Sequence, residues 1–426
     1  MNYRNEMFNI KTRGSYLKSE FKLIRDVAAA GILLTSIVPE TSRKIIFLPM
    51  VIAWLIFAFL AGENSFIKTF IKFDIKSYSL YLWISSLLIF NVIGYCIGDN
   101  ISYILLNYIR FVFYLFMFLY YIIDKSYVSI KNITIFSICC IVFSCITTLR
   151  ALSIEPNAAR ILATGKEELI GELKGMIIGG YGFIYSLVFV SLAVFGYLRF
   201  QRKLFAWKNL LYTITLALFL FTIYKAAFMY ALLIFIIIAL ILLFKIKSIP
   251  ALTFTAIIII ISSPSLHDIF IYLGDHVENE HLSLRFHEIG HLLKYSSAEG
   301  TIDLIGRLEL YRISIDSFFS NPILGVGGYY GYDGGRYGIG GHSGLLDELA
   351  RYGLIGTIFL IIGIINNIKF IYRRFEIKEA RTIYFCCMVG FFGLSIINTI
   401  FFAPIGAVVF FVVPGFLYMV YENKAT

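Results

Sequence analysis

Apolar runs close to the ~20 residues that an α-helix needs to cross a bilayer recur along the whole chain, with short polar breaks between them. They predict twelve spans, at about residues 27–40, 45–62, 79–98, 101–123, 132–149, 176–197, 209–224, 226–244, 251–272, 353–371, 381–400 and 404–421. The first is short and carries Pro39. Between residues 209 and 244 the apolar pattern is nearly continuous, but Lys225 in its middle divides it into a hairpin of two spans. No repeat, low-complexity tail or separate soluble domain interrupts the series. The expected architecture is all-α: a polytopic membrane protein with about twelve transmembrane helices, one domain over residues 1–426.

Composition agrees. Hydrophobic residues make up 59% and charged residues 15%, against roughly 45–50% and about 25% in soluble proteins. The net charge of +10 does not imply nucleic acid, because Lys and Arg on a membrane protein gather on cytoplasmic loops. The six cysteines, Cys96, Cys139, Cys140, Cys145, Cys386 and Cys387, all fall in predicted spans. They read as packing residues rather than a disulfide framework or a thiolate metal site. The first 25 residues are polar and basic with no apolar core, so no cleavable signal peptide is expected.

The basic residues also orient the chain. With residues 1–25 placed inside, 23 of the 37 Lys and Arg fall on cytoplasmic segments, which are short and basic throughout. Both termini are then cytoplasmic. Two outer segments are long, about 150–175 and 273–352, and the second is the large extracytoplasmic loop. All six histidines lie in it or just before it: His267, His276, His281, His287, His291 and His342. A water-facing segment this rich in reactive side chains is where function is sought.

Within that loop, Leu304, Leu308, Tyr311, Ile315 and Phe318/Phe319 recur at helical spacing and predict an amphipathic helix with one apolar face. Asn321-Pro322 ends it, since the residue before proline avoids the helical region. Residues 325–341 then hold nine glycines and four tyrosines, Tyr329, Tyr330, Tyr332 and Tyr337. Glycine lets a backbone approach a bulky ligand, and tyrosine suits sugar faces and hydroxyls; the same composition also suits a plain linker. His342-Ser343 opens another helix, with Leu345, Leu346, Leu349 and Leu354 expected to face the core and Asp347 placed to pair with Arg351 at i, i+4. Histidine at such a junction can exchange protons near neutral pH, although a lone histidine more often has a structural role.

A competing motif lies upstream. His287-Glu288-Ile289-Gly290-His291 matches H-E-x-x-H, the helix of zinc proteases. The longer metzincin pattern fails, with Lys294 where glycine belongs and Ser297 where the third histidine belongs.

Taken in order, the arginine-bearing helix, NPILGVG, the glycine loop and HSGLLDELARYGLIG resemble the O-antigen polymerase and O-antigen ligase family of bacterial polysaccharide assembly. The likeness covers about residues 220–360 in motifs and is only topological before that. It implies transfer of a glycan from an undecaprenyl-pyrophosphate-linked oligosaccharide to a sugar hydroxyl on the outer face of the plasma membrane, with no metal and no other cofactor. The family's loop arginine falls on Arg307 and its loop histidine on His342. Its Ser-Arg pair at a span mouth falls on Tyr224-Lys225, which keeps the charge but not the guanidinium fork. Arg285 resembles a further loop arginine of the polymerase branch. On this reading Lys225, Arg285 and Arg307 bind pyrophosphate, His342 is the general base, and Asp347, Glu348 or Asp316 supports or replaces it. The four loop tyrosines contact glycan. Membrane lipids and a chain-length regulator protein are the further partners expected, and no nucleic acid. The ligase, which delivers finished glycan to lipid A core, is the alternative. A lipid-linked oligosaccharide flippase and the zinc protease stand behind it. A flippase calls for charges along a central cavity, and only Arg110 lies mid-span.

Overall fold

The computed structural model describes residues 2–38, 46–62, 64–69, 85, 102–163, 176–201, 207–244, 263–277, 283–284, 286–288, 290–291, 302–326, 339–400 and 403–422. Among them all regular structure is helical: α1 (Asn2–Ile37), α2 (Ile46–Gly62), α3 (Ser102–Ile123), α4 (Tyr127–Ile154), the short α5 (Ala158–Ala163), α6 (Tyr181–Phe200), α7 (Trp207–Lys225), α8 (Met229–Phe244), α9 (Ser263–His276), α10 (Ile302–Ser320), α11 (Gly344–Arg374), α12 (Lys378–Ile397), α13 (Ala403–Ala407) and α14 (Val413–Tyr421). A π-helical turn, Val408–Val412, joins the last two. Pro414 supplies the cause, because its ring cannot sit against a normal α-helical carbonyl one turn back.

Five described segments are long and apolar enough to cross a membrane: Tyr127–Ile154, Tyr181–Phe200, Gly344–Arg374, Lys378–Ile397 and Pro404–Tyr421. The protein is an all-helical membrane protein. Four shorter apolar helices accompany them. The span expected at 79–98 lies outside the described residues apart from Ser85, as does most of the span expected at 251–272. The hairpin at Lys225 is present, with α7 ending there and α8 starting at Met229.

Two helical pillars form the centre. Along α6, residues 183 to 194 are buried without a break, so it is apolar all round, as a helix with neighbours on every side must be. From Ile405 to Leu417 the C-terminal pillar is buried almost as completely. The surrounding helices turn large apolar side chains outward, among them Ile52, Phe143, Ile214, Ile236 and Ile358. That covering is expected of a surface solvated by lipid chains.

The helix ends gather at two opposite ends of the bundle. At one, Gly179 donates its N–H to Thr148 Oγ1 (2.8 Å), joining the end of α4 to the start of α6. Phe228, in the α7–α8 turn, packs on Tyr181 and Tyr185 at 5.2 and 5.4 Å between ring centroids. Tyr181 donates to Asn398 Oδ1 (2.8 Å) at the end of α12, and Asn398 Nδ2 donates to the Tyr185 hydroxyl.

The other end is clamped by Arg25, fully buried among α1, α3 and α4. Its guanidinium meets Asp26 at 2.8 Å and Asp124 at 2.9 Å, lies 4.7 Å from the Tyr121 ring centroid, and donates to Ser129. Removing one member of a buried ion pair leaves the others desolvated and uncompensated, at a cost of about 3–5 kcal/mol. Arg25→Ala is therefore expected to lower the unfolding temperature of detergent-purified protein sharply. An unchanged melting curve would show that α1 is not held by this cluster.

Candidate functional site

The loop motifs separated in sequence meet through their backbones. Helix α10 ends at Ser320, and Asn321-Pro322 turns the chain back. Helix α11 is itself broken at Gly353, whose φ of 61° and ψ of −166° lie where essentially only glycine goes. The break exposes backbone groups that must find other partners, and the 322–326 turn supplies them. Leu354 donates to the carbonyl of Pro322 (2.8 Å), Ile355 to that of Ile323 (3.3 Å), and the carbonyl of Ala350 accepts from Val326 (2.9 Å). Gly325, at φ 75°, lies so close that a Cβ there would sit 2.4 Å from Arg351 carbonyl atoms. Thus the glycines of NPILGVG and of ARYGLIG serve one docking contact.

The segment carrying His342 is held from three sides. Asp347, buried in the first turn of α11, accepts from the Ser314 hydroxyl of α10 (2.7 Å) and from the amides of Gly341 and Ser343 (3.2 Å each). Ser314 also accepts from the amide of Gly340 (2.9 Å). Below, the last carbonyls of α12, which no helical amide can reach, receive donors from this segment and from α10. Ser343 Oγ donates to Ile396 (2.7 Å), Tyr311 to Ile397 (2.8 Å), and the Gly344 amide to Asn398 (2.9 Å). Ser343 caps α11 as well, accepting from Leu346 (3.3 Å).

His342 is half-buried in this cradle, with Nδ1 3.2 Å from the carbonyl oxygen of Gly340. A carbonyl only accepts, so Nδ1 carries a proton there, and in the neutral form of the ring Nε2 holds the basic lone pair. This is the tautomer arrangement that a histidine base requires.

Several sequence-based expectations need correction here. Asp347 does not pair with Arg351; its carboxylate is engaged with Ser314 and the amides flanking His342. Arg351 pairs with Glu348 instead, Nη1 to Oε1 at 3.1 Å, with both side chains buried. Nor do the leucines of α11 face the core as expected: Leu354 is exposed and Leu345, Leu346 and Leu349 are half-buried, whereas Asp347, Glu348 and Arg351 are buried. On α10 the apolar stripe is split, with Leu308, Ile315 and Phe319 exposed, Tyr311 and Phe318 half-buried, and Ser314 and Ser317 buried. The polar groups turn inward because each finds a hydrogen-bond partner there, Ser314 on Asp347 and Arg351 on Glu348.

The other expected residues are less gathered. Lys225 is the exposed last residue of α7, its Nζ 5.8 Å from the Phe221 ring centroid. It lies at the same end of the bundle as His342, linked through Phe228, the two tyrosines, Asn398 and Gly344. Arg307 lies in α10, seven residues and thus about 10 Å of helix before Ser314; its side chain is outside the described residues. So are Arg285 and the tyrosines Tyr329, Tyr330, Tyr332 and Tyr337. Phe286, next to Arg285 in sequence, clusters with Ala227, two residues beyond Lys225. Asp316 is exposed and ion-paired with Arg312 at 3.6 Å, on the opposite side of α10 from buried Ser314. Sequence reasoning missed Ser314, Asn398, Tyr181 and Tyr185, which position the cradle; only the i, i+4 tyrosine pair at a span mouth offered a signal.

The H-E-x-x-H residues do not converge. His287 Nε2 faces Asp275 (3.3 Å) and His291 lies beside His267, 6.1 Å between centroids. His267 Nδ1 is 2.7 Å from the Gly290 carbonyl oxygen. Among the described residues no three His, Cys, Asp or Glu side chains are grouped as metal ligands.

No protein-family model and no curated protein matches the chain. The site is read from its own geometry.

Proposed function

We propose that the protein is a membrane glycosyltransferase that polymerises undecaprenyl-pyrophosphate-linked repeat units into a surface polysaccharide. The observation that carries this reading is the His342 cradle: a histidine with Nδ1 bound to a carbonyl, on a segment clamped by Asp347 and Ser314 at the bundle end that also bears Lys225. In the reaction, a sugar hydroxyl of the acceptor attacks the anomeric carbon of the donor. The bond from that carbon to the pyrophosphate oxygen breaks, and the hydroxyl proton passes to His342 Nε2. Undecaprenyl pyrophosphate leaves with the bonding pair, its charge met by Arg307 and Lys225, with Arg285 as a further contact. Asp347 positions the base by fixing the amides on either side of it. Asp316, turned away, has no part in this scheme.

The same reading places the protein in the bacterial plasma membrane with about twelve spans, both termini cytoplasmic and residues 273–352 outside. A cysteine introduced at Ser297 is expected to react with a membrane-impermeant maleimide in intact spheroplasts. Labelling only after permeabilisation would reverse the topology and remove the site from its donor. For the reaction itself, purified protein incubated with lipid-linked repeat units is expected to yield a ladder of glycan lengths with release of undecaprenyl pyrophosphate. Glycan appearing on lipid A core, without a ladder, would favour the ligase.

A further inference from the structure

The end of the bundle opposite His342 holds a cavity of about 410 Å³ between the ends of α3, α11 and α14 and the start of α4. Its walls include Lys131, Arg373 and Arg374 on the basic side, Glu376 on the acidic side, and Tyr127 and Tyr418, whose rings stack at 6.1 Å and 18°. Glu422 also borders it, but its Oε1 is occupied in accepting from the amides of Glu376 (2.8 Å) and Ile377 (3.4 Å). Among the described residues, none of Lys131, Arg373 and Arg374 has an ion-pair partner within 4 Å.

A second feature points the same way. The N-terminus of α4, with its partial positive charge, opens on this cavity, and no side chain caps it. Ser126, at the capping position, donates its hydroxyl to Asp124 instead. Three cations and an uncapped helix start thus face one cavity, against Glu376 and the already engaged Glu422, and Ile122, Ile130 and Met419 add apolar lining. Past its break, α11 runs 21 residues from Leu354 to Arg374, about 31 Å at 1.5 Å per residue. That is the thickness of a bilayer core, so the cavity lies at headgroup level.

We propose that this cavity is a binding site for a phosphate-bearing anion, separate from the site of glycosyl transfer and independent of it. The phosphate is held by Lys131, Arg373 and Arg374 against the start of α4. The apolar lining suits the glycerol and first acyl carbons of an anionic phospholipid; a soluble phosphate ester presents the same group without them. Basic pockets between membrane helices on the cytoplasmic side take such headgroups, and the distribution of Lys and Arg puts this end there.

The test uses full-length protein in detergent, by native mass spectrometry with added phosphatidylglycerol or phosphatidylcholine, and by thermal unfolding with inorganic phosphate. Phosphatidylglycerol is expected to be retained at least about tenfold better than phosphatidylcholine. Each of Lys131→Gln, Arg373→Gln and Arg374→Gln should weaken that retention about fivefold, the share of one basic residue at a membrane surface. Glu376→Gln should strengthen it, an effect of opposite sign that misfolding cannot produce. Stabilisation by inorganic phosphate, lost in the same three variants and without lipid selectivity, would keep the anion site and assign it to a soluble phosphate ester. Equal retention of both lipids with no response to phosphate, or variants that bind as wild type does, would overturn the proposal.

Discussion

His342→Ala is expected to abolish chain extension while leaving the protein folded and able to bind lipid-linked donor. The side chain is half-buried at a loop junction, where it hydrogen-bonds to the Gly340 carbonyl, so its loss removes little packing. A general base is worth about 10²–10⁴-fold in rate. Because Nδ1 is engaged with a carbonyl, His342→Gln, which can donate there but offers no basic nitrogen, should be as inactive as the alanine variant. Arg307 makes a companion case. If its guanidinium meets the departing pyrophosphate through two parallel donors, Arg307→Lys should fail nearly as badly as Arg307→Ala, by about 10²–10³-fold. Lys225→Arg, by contrast, should be tolerated. Ladder formation and donor binding, measured separately on purified protein, check all five variants. Normal ladders from His342→Ala would transfer the base role elsewhere, with Asp347 the next residue to test.

Gly353→Ala should be strongly damaging for a single added methyl. A Cβ there would stand 2.4 Å from the Ile323 carbonyl oxygen, and the backbone at φ 61° and ψ −166° excludes other residues. Strain of about 1–3 kcal/mol, plus the three backbone hydrogen bonds of the docking contact at about 1 kcal/mol each, gives a loss of about 4–6 kcal/mol. Gly306→Ala is the control. Nothing lies within 4 Å of its would-be Cβ on exposed α10, so alanine should stabilise by up to about 1 kcal/mol. Hydrogen exchange at residues 322–326 should accelerate strongly in Gly353→Ala and stay unchanged in Gly306→Ala. Equal protection in both would show that the two glycine motifs do not depend on one another.

Among the described residues the sequence revealed most helices and many of their ends, because the determinants are local. Lys225 cannot sit at the centre of an apolar span, Asn321-Pro322 cannot continue a helix, and Ser343 caps the helix after His342. The direction in which the amphipathic helices face was not legible. A stripe such as Leu308, Ile315 and Phe319 says that one face is apolar, not whether protein or lipid covers it. Here the buried faces carry Ser314 and Asp347, and the apolar faces point out. The break at Gly353 was equally hidden, since a glycine in a leucine-rich helix pattern reads as a tolerated weakness. Its purpose appears only when the 322–326 turn takes up the freed hydrogen bonds. For the candidate site, His342 was found by motif and position. Of the residues that hold it, Asp347 and Ser343 are near in sequence, but Ser314, Tyr311 and Asn398 lie 28 or more positions away and form no pattern in one dimension.

The central claim is that this protein joins lipid-linked repeat units, and the lipid-linked intermediates of cells lacking it test that most directly. Mass spectrometry of their undecaprenyl-pyrophosphate-linked oligosaccharides is expected to show the single repeat unit accumulating. Longer chains should return with the wild-type protein and not with His342→Ala. Accumulation of long lipid-linked glycan would instead assign the step after polymerisation, and an unchanged profile would contradict the account altogether.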